Sequence, residues 1–309
     1  MTILKKTIIL ISTLLLAALI SCSTQKHTTL YQLPTQTPQQ MMSYVIITKD
    51  GHCIVSDGGN KGDADYLLKF IKEKTNMKKP VIDAWIFSHV HSDHVSTFIA
   101  LANLKRDEFT VKKIYYNFPS AEFISKYDYT DTTVLTMSDF YAAVDKLEGT
   151  EVIIPQNNDK FTIGDVEVEI LMVQDEEADF MKNSNVVNNS SMIFRLTVEN
   201  QTVLFLGDSG VEQGNELLKM HGDNLKSDMV QMSHHGQNGV SKEVYEAINP
   251  SACLWPTPKW LYENDSGGGY NSGPWKTLEV REWMEELGVK HHYVDMDGLH
   301  EIRFPFKFD

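Results

Sequence analysis

Apolar residues fall along this chain in short runs with two different periods. Continuous or alternating runs at 44–48, 53–56, 81–88, 113–117, 166–172, 192–198, 203–206, 229–232, 252–255 and 292–294 predict strands. Apolar positions three and four apart predict helices at 65–74, 95–104, 138–147, 242–248 and 276–287, with Ser138 as an N-cap and Gly288 closing the last. Interleaved strands and helices in this number predict an α/β fold, sheets covered by helices, and argue against a bundle or a pure β barrel. No internal repeat interrupts the pattern, so residues 41–309 read as a single domain, large but normal for a layered fold.

The N-terminus follows a different logic. Lys5 and Lys6 precede an apolar run over 7–20. A membrane span needs about 20 apolar residues plus flanking length, so the run reads as a secretory signal over residues 1–21. Leu19-Ile20-Ser21-Cys22 resembles a bacterial lipoprotein processing box. That resemblance implies cleavage before Cys22, acylation of Cys22, and attachment to a membrane of the cell envelope, since several acyl chains hold where one is marginal. Residues 22–40, rich in Thr, Gln and Pro, read as a flexible tether.

Charge narrows the partners. The formal net charge is −14 and becomes more negative once Lys5 and Lys6 are removed. Nucleic-acid affinity rests largely on Lys and Arg neutralising phosphates, so this balance argues against a nucleic-acid partner. A small-molecule or envelope-derived substrate and a monomeric state are the expectations that follow. Cys53 and Cys253 lie in apolar strand-like stretches, where two buried thiols are the plainer reading and a disulfide the alternative.

Chemistry concentrates at His89-Val90-His91-Ser92-Asp93-His94. The strand Ala84-Trp85-Ile86-Phe87 runs into it, and the i, i+2 spacing puts His89 and His91 on one face of an extended segment. Asp93 and His94 follow where the chain turns into the next helix. Imidazole nitrogen and carboxylate oxygen suit a zinc-like divalent ion. Further along, the apolar run at 203–206 ends in Gly207-Asp208, which is good turn chemistry and equally delivers a carboxylate able to bridge two cations. Ser233-His234-His235-Gly236 offers two more imidazoles; on extended backbone adjacent residues point oppositely, so His235 is favoured as ligand, with His234 lining the pocket.

The His-x-His-x-Asp-His pattern, together with Ile54-Val55-Ser56-Asp57-Gly58-Gly59, Leu204-Phe205-Leu206-Gly207-Asp208 and Ser233-His234-His235-Gly236, resembles the metallo-β-lactamase superfamily. The resemblance implies an αββα sandwich and two divalent metal ions, most simply Zn2+. It implies His89, His91, Asp93, His94, Asp208 and His235 as ligands, with Asp93, Asp208 and His234 in the chemistry and Asp57 orienting a ligand histidine. Asn188 to Leu196 and His234-His235-Gly236 are most similar to the hydrolase domain of ComEC-type DNA-uptake proteins, which favours a phosphoester or phosphodiester over a lactone, thioester or β-lactam. Two departures stand out. Asn188-Asn189-Ser190-Ser191 lies where many members carry another histidine, which weakens the first metal position, and Gly273-Pro274 replaces a His-Pro.

His300 is either a spare imidazole for the site or a surface residue. Trp255, Trp260, Tyr262, Tyr270 and Trp275 are either an aromatic wall for a ligand or a lid packed on itself. A di-iron redox protein and a non-catalytic binding lipoprotein are the rivals from other functional classes.

Overall fold

A computed structural model describes residues 26–128 and 131–308; the signal over residues 1–21 and Cys22 lie outside the described residues. The N-terminal half contributes β1 (Thr29–Gln32), β2 (Ser43–Ile47), β3 (Cys53–Asp57), β4 (Val81–Ile86), β5 (Thr110–Tyr115) and β6 (Glu151–Ile153). The C-terminal half contributes β7 (Lys160–Ile163), β8 (Val166–Met172), β9 (Ile193–Val198), β10 (Gln201–Phe205), β11 (Met229–Gln231), β12 (Ala252–Trp255) and β13 (His291–Val294), and β14 (His300–Arg303) returns to the first half. They form two seven-stranded sheets, ordered β14-β1-β2-β3-β4-β5-β6 and β13-β12-β11-β10-β9-β8-β7.

Helices cover the outer faces. They are α1 (Ala64–Thr75), α2 (Ser92–Leu104), α3 (Ala121–Tyr127) and α4 (Asp131–Val144) beside the first sheet, then α5 (Val211–His221), α6 (Lys242–Ile248), α7 (Lys259–Tyr262) and α8 (Thr277–Glu286) in the second half. Because strand residues alternate between faces, Cys53 and Val55 pack with the helices while Ile54 points inward. Likewise Ala252 and Leu254 face the other sheet, whereas Cys253 and Trp255 meet α5, α6 and α8. The result is three apolar layers in an αββα sandwich, as the patterning and the resemblance led us to expect.

Aromatic packing fixes the end of β4. Trp85 stacks on Phe87 at 5.7 Å, and Phe87 meets Phe98 of α2 edge-on at 5.1 Å and Phe140 of α4 at 4.9 Å. Each such pair is worth about 0.5–1.5 kcal/mol beyond its buried area, so the chain reaches His89 in a fixed orientation. The indole Nε1 of Trp85 donates to the Asp57 carbonyl at 2.7 Å, joining the ends of β3 and β4.

Four expectations need correction. Residues 22–40 are not a tether throughout: Thr29–Gln32 is a buried strand between β2 and β14, because Leu30 and Tyr31 find apolar partners that are remote in sequence. Ser138 lies inside α4 rather than at its start, since the helix begins at Asp131. The Val211–His221 helix was not foreseen. Its polar sequence hides a packed face on which Gly214 is needed, a Cβ there lying 2.9 Å from Val240 Cγ1 and 3.1 Å from Val244 Cγ2. Short edge strands β6, β7 and β14 also escaped a pattern reading that needs longer runs. Cys53 and Cys253 are both buried free thiols in different sheets.

Among the described residues no helix is long and apolar enough to cross a membrane. Leu30→Ala is expected to lower unfolding stability by about 2–5 kcal/mol in a denaturant titration. A change near zero would restore the tether.

Candidate metal centre

The chemistry gathers where strands of both sheets end on the same side. Asp57 ends β3, His89 and His91 follow β4, Asp93 and His94 open α2, Asp208 follows β10, and His234 and His235 follow β11. Loops at the C-terminal ends of neighbouring parallel strands make a natural crevice in open α/β sheets. Two groups of potential ligand atoms form there, His89 with His91 and Asp208, and Asp93 with His94 and His235, each within 4.8 Å of its partners.

Within these groups the contacts are close. His89 Nε2 and His91 Nδ1 are 3.0 Å apart, and His235 Nε2 lies 3.2 Å from Asp93 Oδ2. Asp208 Oδ2 sits between the groups, 3.3 Å from His94 Nε2, 3.4 Å from His235 Nε2 and 3.9 Å from His89 Nε2. Ligands about 2.0–2.1 Å from a tetrahedral zinc are roughly 3.3 Å from each other. Most of these separations are therefore those of a coordination shell.

The far side of each imidazole is tied down. His94 Nδ1 donates to Asp57 Oδ2 at 3.1 Å, and His235 Nδ1 donates to the Pro256 carbonyl at 2.9 Å. His89 Nδ1 meets the hydroxyls of Ser88 at 3.1 Å and Ser191 at 3.5 Å. A carboxylate or carbonyl only accepts, so Nδ1 of His94 and His235 carries the proton and, in the neutral ring, Nε2 turns a lone pair inward. Asp57 is itself held by the Ser88 N–H and hydroxyl, both at 2.9 Å.

Three buried atoms at the centre, His94 Nε2, His235 Nε2 and Asp208 Oδ1, have no hydrogen-bond partner of acceptable geometry. Orphaned polar atoms are costly in a folded interior, and here they converge. Burial lowers the pKa of His94, but Asp208 and Asp57 outweigh it and hold the imidazole well above its ordinary range. Burial likewise opposes His235, which Asp208 and Asp93 nonetheless push up to about 10. Asp208 and Asp93 lie below the usual carboxylate range: burial raises both, and the neighbouring His235 and His94 more than reverse it. Without a cation the cluster takes up protons as counter-charge. The donor set, its spacing and its orphaned atoms fit a divalent metal pair.

The His234–His235 pair departs from expectation. Both residues are left-handed, at φ/ψ 50/50 and 55/25, not extended, so both rings reach the same side. His234 Nε2 comes to 4.0 Å from Asp208 Oδ2 from a partly exposed position. Such backbone costs roughly 1–2 kcal/mol per residue. It is held by His234 N–H donating to the Gly207 carbonyl, Ser233 Oγ to that of Ser209, and Thr257 Oγ1 to that of His235.

Ser191 occupies the neighbourhood where a further histidine was missed: its hydroxyl accepts from the Asp208 N–H at 3.0 Å and approaches His89. Gly207, at φ +57, packs so closely that a Cβ would lie 2.8 Å from Ser191 Cβ. His300 is not part of the cluster. It sits in β14 and bonds the Val294 carbonyl at 2.7 Å. The aromatic loop packs largely on itself: buried Trp255 meets Tyr262 edge-on at 5.6 Å, Arg281 covers Tyr262 at 4.2 Å, and Trp260 meets Trp275 at 4.9 Å. Tyr270 stays exposed. Ser88 and Gln40, whose amide reaches Asp93, are not singled out by the sequence; Ser88, adjacent to His89, carries a positional signal, and Ser191 belongs to the 188–191 segment already noted as standing in place of a histidine.

The family model for the metallo-beta-lactamase superfamily matches residues 37–248. Among solved structures, the metallo-beta-lactamase fold protein YhfI from Bacillus subtilis is similar at 14% identity and TM-score 0.52, over 89% of this chain and 99% of that one. CmlA, a diiron beta-hydroxylase from Streptomyces venezuelae, is similar at 13% identity and TM-score 0.55, over 91% of this chain and 55% of that one. At these identities the likeness is one of fold. No curated protein sequence matches.

Two tests follow from the geometry. Asp57→Ala, which frees His94 Nδ1, is expected to weaken zinc binding roughly 10- to 100-fold by competition with a chelating indicator. In the metal-free protein the raised His94 and His235 values stabilise fully below about pH 6.5, and the His235 share is lost as pH rises through about 10. Thermal melts with chelator present should therefore show a falling Tm from pH 6.5 to 9.5, and a flat profile would contradict the charge balance.

Proposed function

The chain belongs to the metallo-beta-lactamase superfamily, and on that premise we propose that it is a metal-dependent hydrolase of phosphoester or phosphodiester substrates at the bacterial cell envelope, anchored through Cys22. The observation that carries the reading is the pair of ligand groups sharing the space beside Asp208, with His94 and His235 each tied behind by a proton acceptor. His89, His91 and Asp208 would hold one divalent ion, and Asp93, His94 and His235 the other, with Asp208 between them. Bound there, the ions supply an acidified water for attack near neutral pH and polarise an oxygen of the scissile group.

The chain's own residues do the rest. Asp57 and the Pro256 carbonyl keep the Nε2 lone pairs of His94 and His235 aimed inward. His234 stands at the mouth with Nδ1 near the Asn238 carbonyl at 3.4 Å. Burial lowers its pKa, so its neutral ring offers Nε2 as a place for the proton released on attack, after which the imidazolium faces the negative charge building on the substrate. Three protein ligands at the first position, with Ser191 in place of a further imidazole, leave room for water or a substrate oxygen.

Support for a phosphoester comes from the ComEC-type resemblance at Asn188 to Leu196 and His234-His235-Gly236. The acidic chain favours a small or envelope-derived substrate over nucleic acid. Purified protein loaded with zinc and assayed on bis-p-nitrophenyl phosphate, a phosphorylcholine ester, a lactone and a chromogenic β-lactam should turn over the phosphoesters. Asp208→Ala should reduce that rate by at least about 100-fold, more than loss of an outer partner. Turnover of the β-lactam alone would replace the substrate class. Bound iron without hydrolysis would favour a redox protein, and no bound metal a binding lipoprotein.

A further inference from the structure

Residues 34–40 form a strap that is fastened to both halves of the molecule and ends beside the site at Gln40. The Thr35 N–H donates to buried Asp295 Oδ1 at 3.0 Å, and the Gln36 N–H to buried Asp63 Oδ1 at 2.6 Å. Trp260 Nε1 donates to the Pro38 carbonyl at 2.9 Å, and Asn60 Nδ2 to the Gln40 carbonyl at 2.8 Å. Two anchors come from the first half and two from the second, and their effect is to set Gln40 against the site.

At its end, Gln40 Nε2 donates to Asp93 Oδ2 at 3.0 Å, and Gln40 Oε1 accepts from Gln237 Nε2, also at 3.0 Å. A carboxylate can only accept, so the Asp93 contact fixes the amide orientation, and the Gln237 contact agrees with it. Gln237 stands two residues after His235, so the relay Gln237–Gln40–Asp93 links the loops after β11 and β4 through the strap. The Met42 N–H donates to the Asp93 carbonyl at 3.1 Å, which fixes the backbone beneath the same carboxylate.

We propose that Gln40, oriented by Gln237, is a positioning residue that sets the rotation of the Asp93 carboxylate and so the affinity of the Asp93–His94–His235 group for its cation. This rests on the metal reading above. A carboxylate swings freely about its last torsion unless its oxygens are bonded. The other contact on Asp93 Oδ2, from His235 Nε2, is one a bound cation would replace, whereas Gln40 stands outside the ligand group and would not compete with the cation. Outer partners of this kind govern metal affinity by roughly 10- to 100-fold.

The test is stepwise titration of the purified metal-free protein with zinc against a chelating indicator, and with cobalt by visible absorption, which reports ligand geometry. Gln40→Met keeps the length and packing of the side chain and removes the donor; Trp260→Phe loosens the strap and leaves the donor. Expected is a roughly 10- to 100-fold weaker affinity for one of two zinc equivalents in Gln40→Met, an altered cobalt spectrum, and wild-type behaviour in Trp260→Phe. Wild-type affinities in Gln40→Met overturn the inference while leaving the metal site intact. An equal loss in both variants also overturns it, reducing the strap to a structural brace. A wild-type protein that takes up neither ion overturns the metal reading itself.

Discussion

Three carboxylates, Asp57, Asp93 and Asp208, are brought together with five imidazoles, those of His89, His91, His94, His234 and His235, at a strand-end crevice, and they require positive charge there. In a low-dielectric interior an uncompensated carboxylate is far more costly than at the surface. Among the described residues, the ion pairs of these carboxylates are made by histidines and not by Lys or Arg. The cluster either binds protons or binds metal. Each outer contact, from Asp57 on His94 to the Pro256 carbonyl on His235, leaves an inward nitrogen for the second alternative.

The sandwich serves this requirement by aligning strand ends. β3 and β4 of one sheet, and β10 and β11 of the other, terminate on the same side, and the aromatic layer of Trp85, Phe87, Phe98 and Phe140 fixes the position from which His89 departs. Left-handed non-glycine backbone also occurs at turns such as Asn76 and Asn249, but at the site it sets the direction of the histidine rings. The consecutive left-handed His234 and His235 bring two rings to one side, a placement an extended strand forbids. Such strain persists because surrounding bonds over-determine it.

Much of the site was legible because its residues sit within short segments at the ends of strong apolar runs. His89 to His94, Gly207-Asp208 and His234-His235 each follow a run whose period announces a strand. What escaped the sequence depends on partners remote along the chain. Strand β1 is four residues long and pairs with β14 at the opposite end, so no local period marks it. Gln40 looks like one more polar residue in a Thr- and Gln-rich stretch until the fold brings its amide to Asp93. The relative direction of His234 and His235 was misread for a related reason: their left-handed backbone is imposed by bonds from Gly207, Ser209 and Thr257, not by their own sequence.

The most direct measurement is anomalous diffraction at the zinc absorption edge from crystals of the metal-loaded protein. The account predicts two peaks flanking Asp208, one among His89, His91 and Asp208 and one among Asp93, His94 and His235. Side chains splayed apart with no anomalous density between them would contradict it.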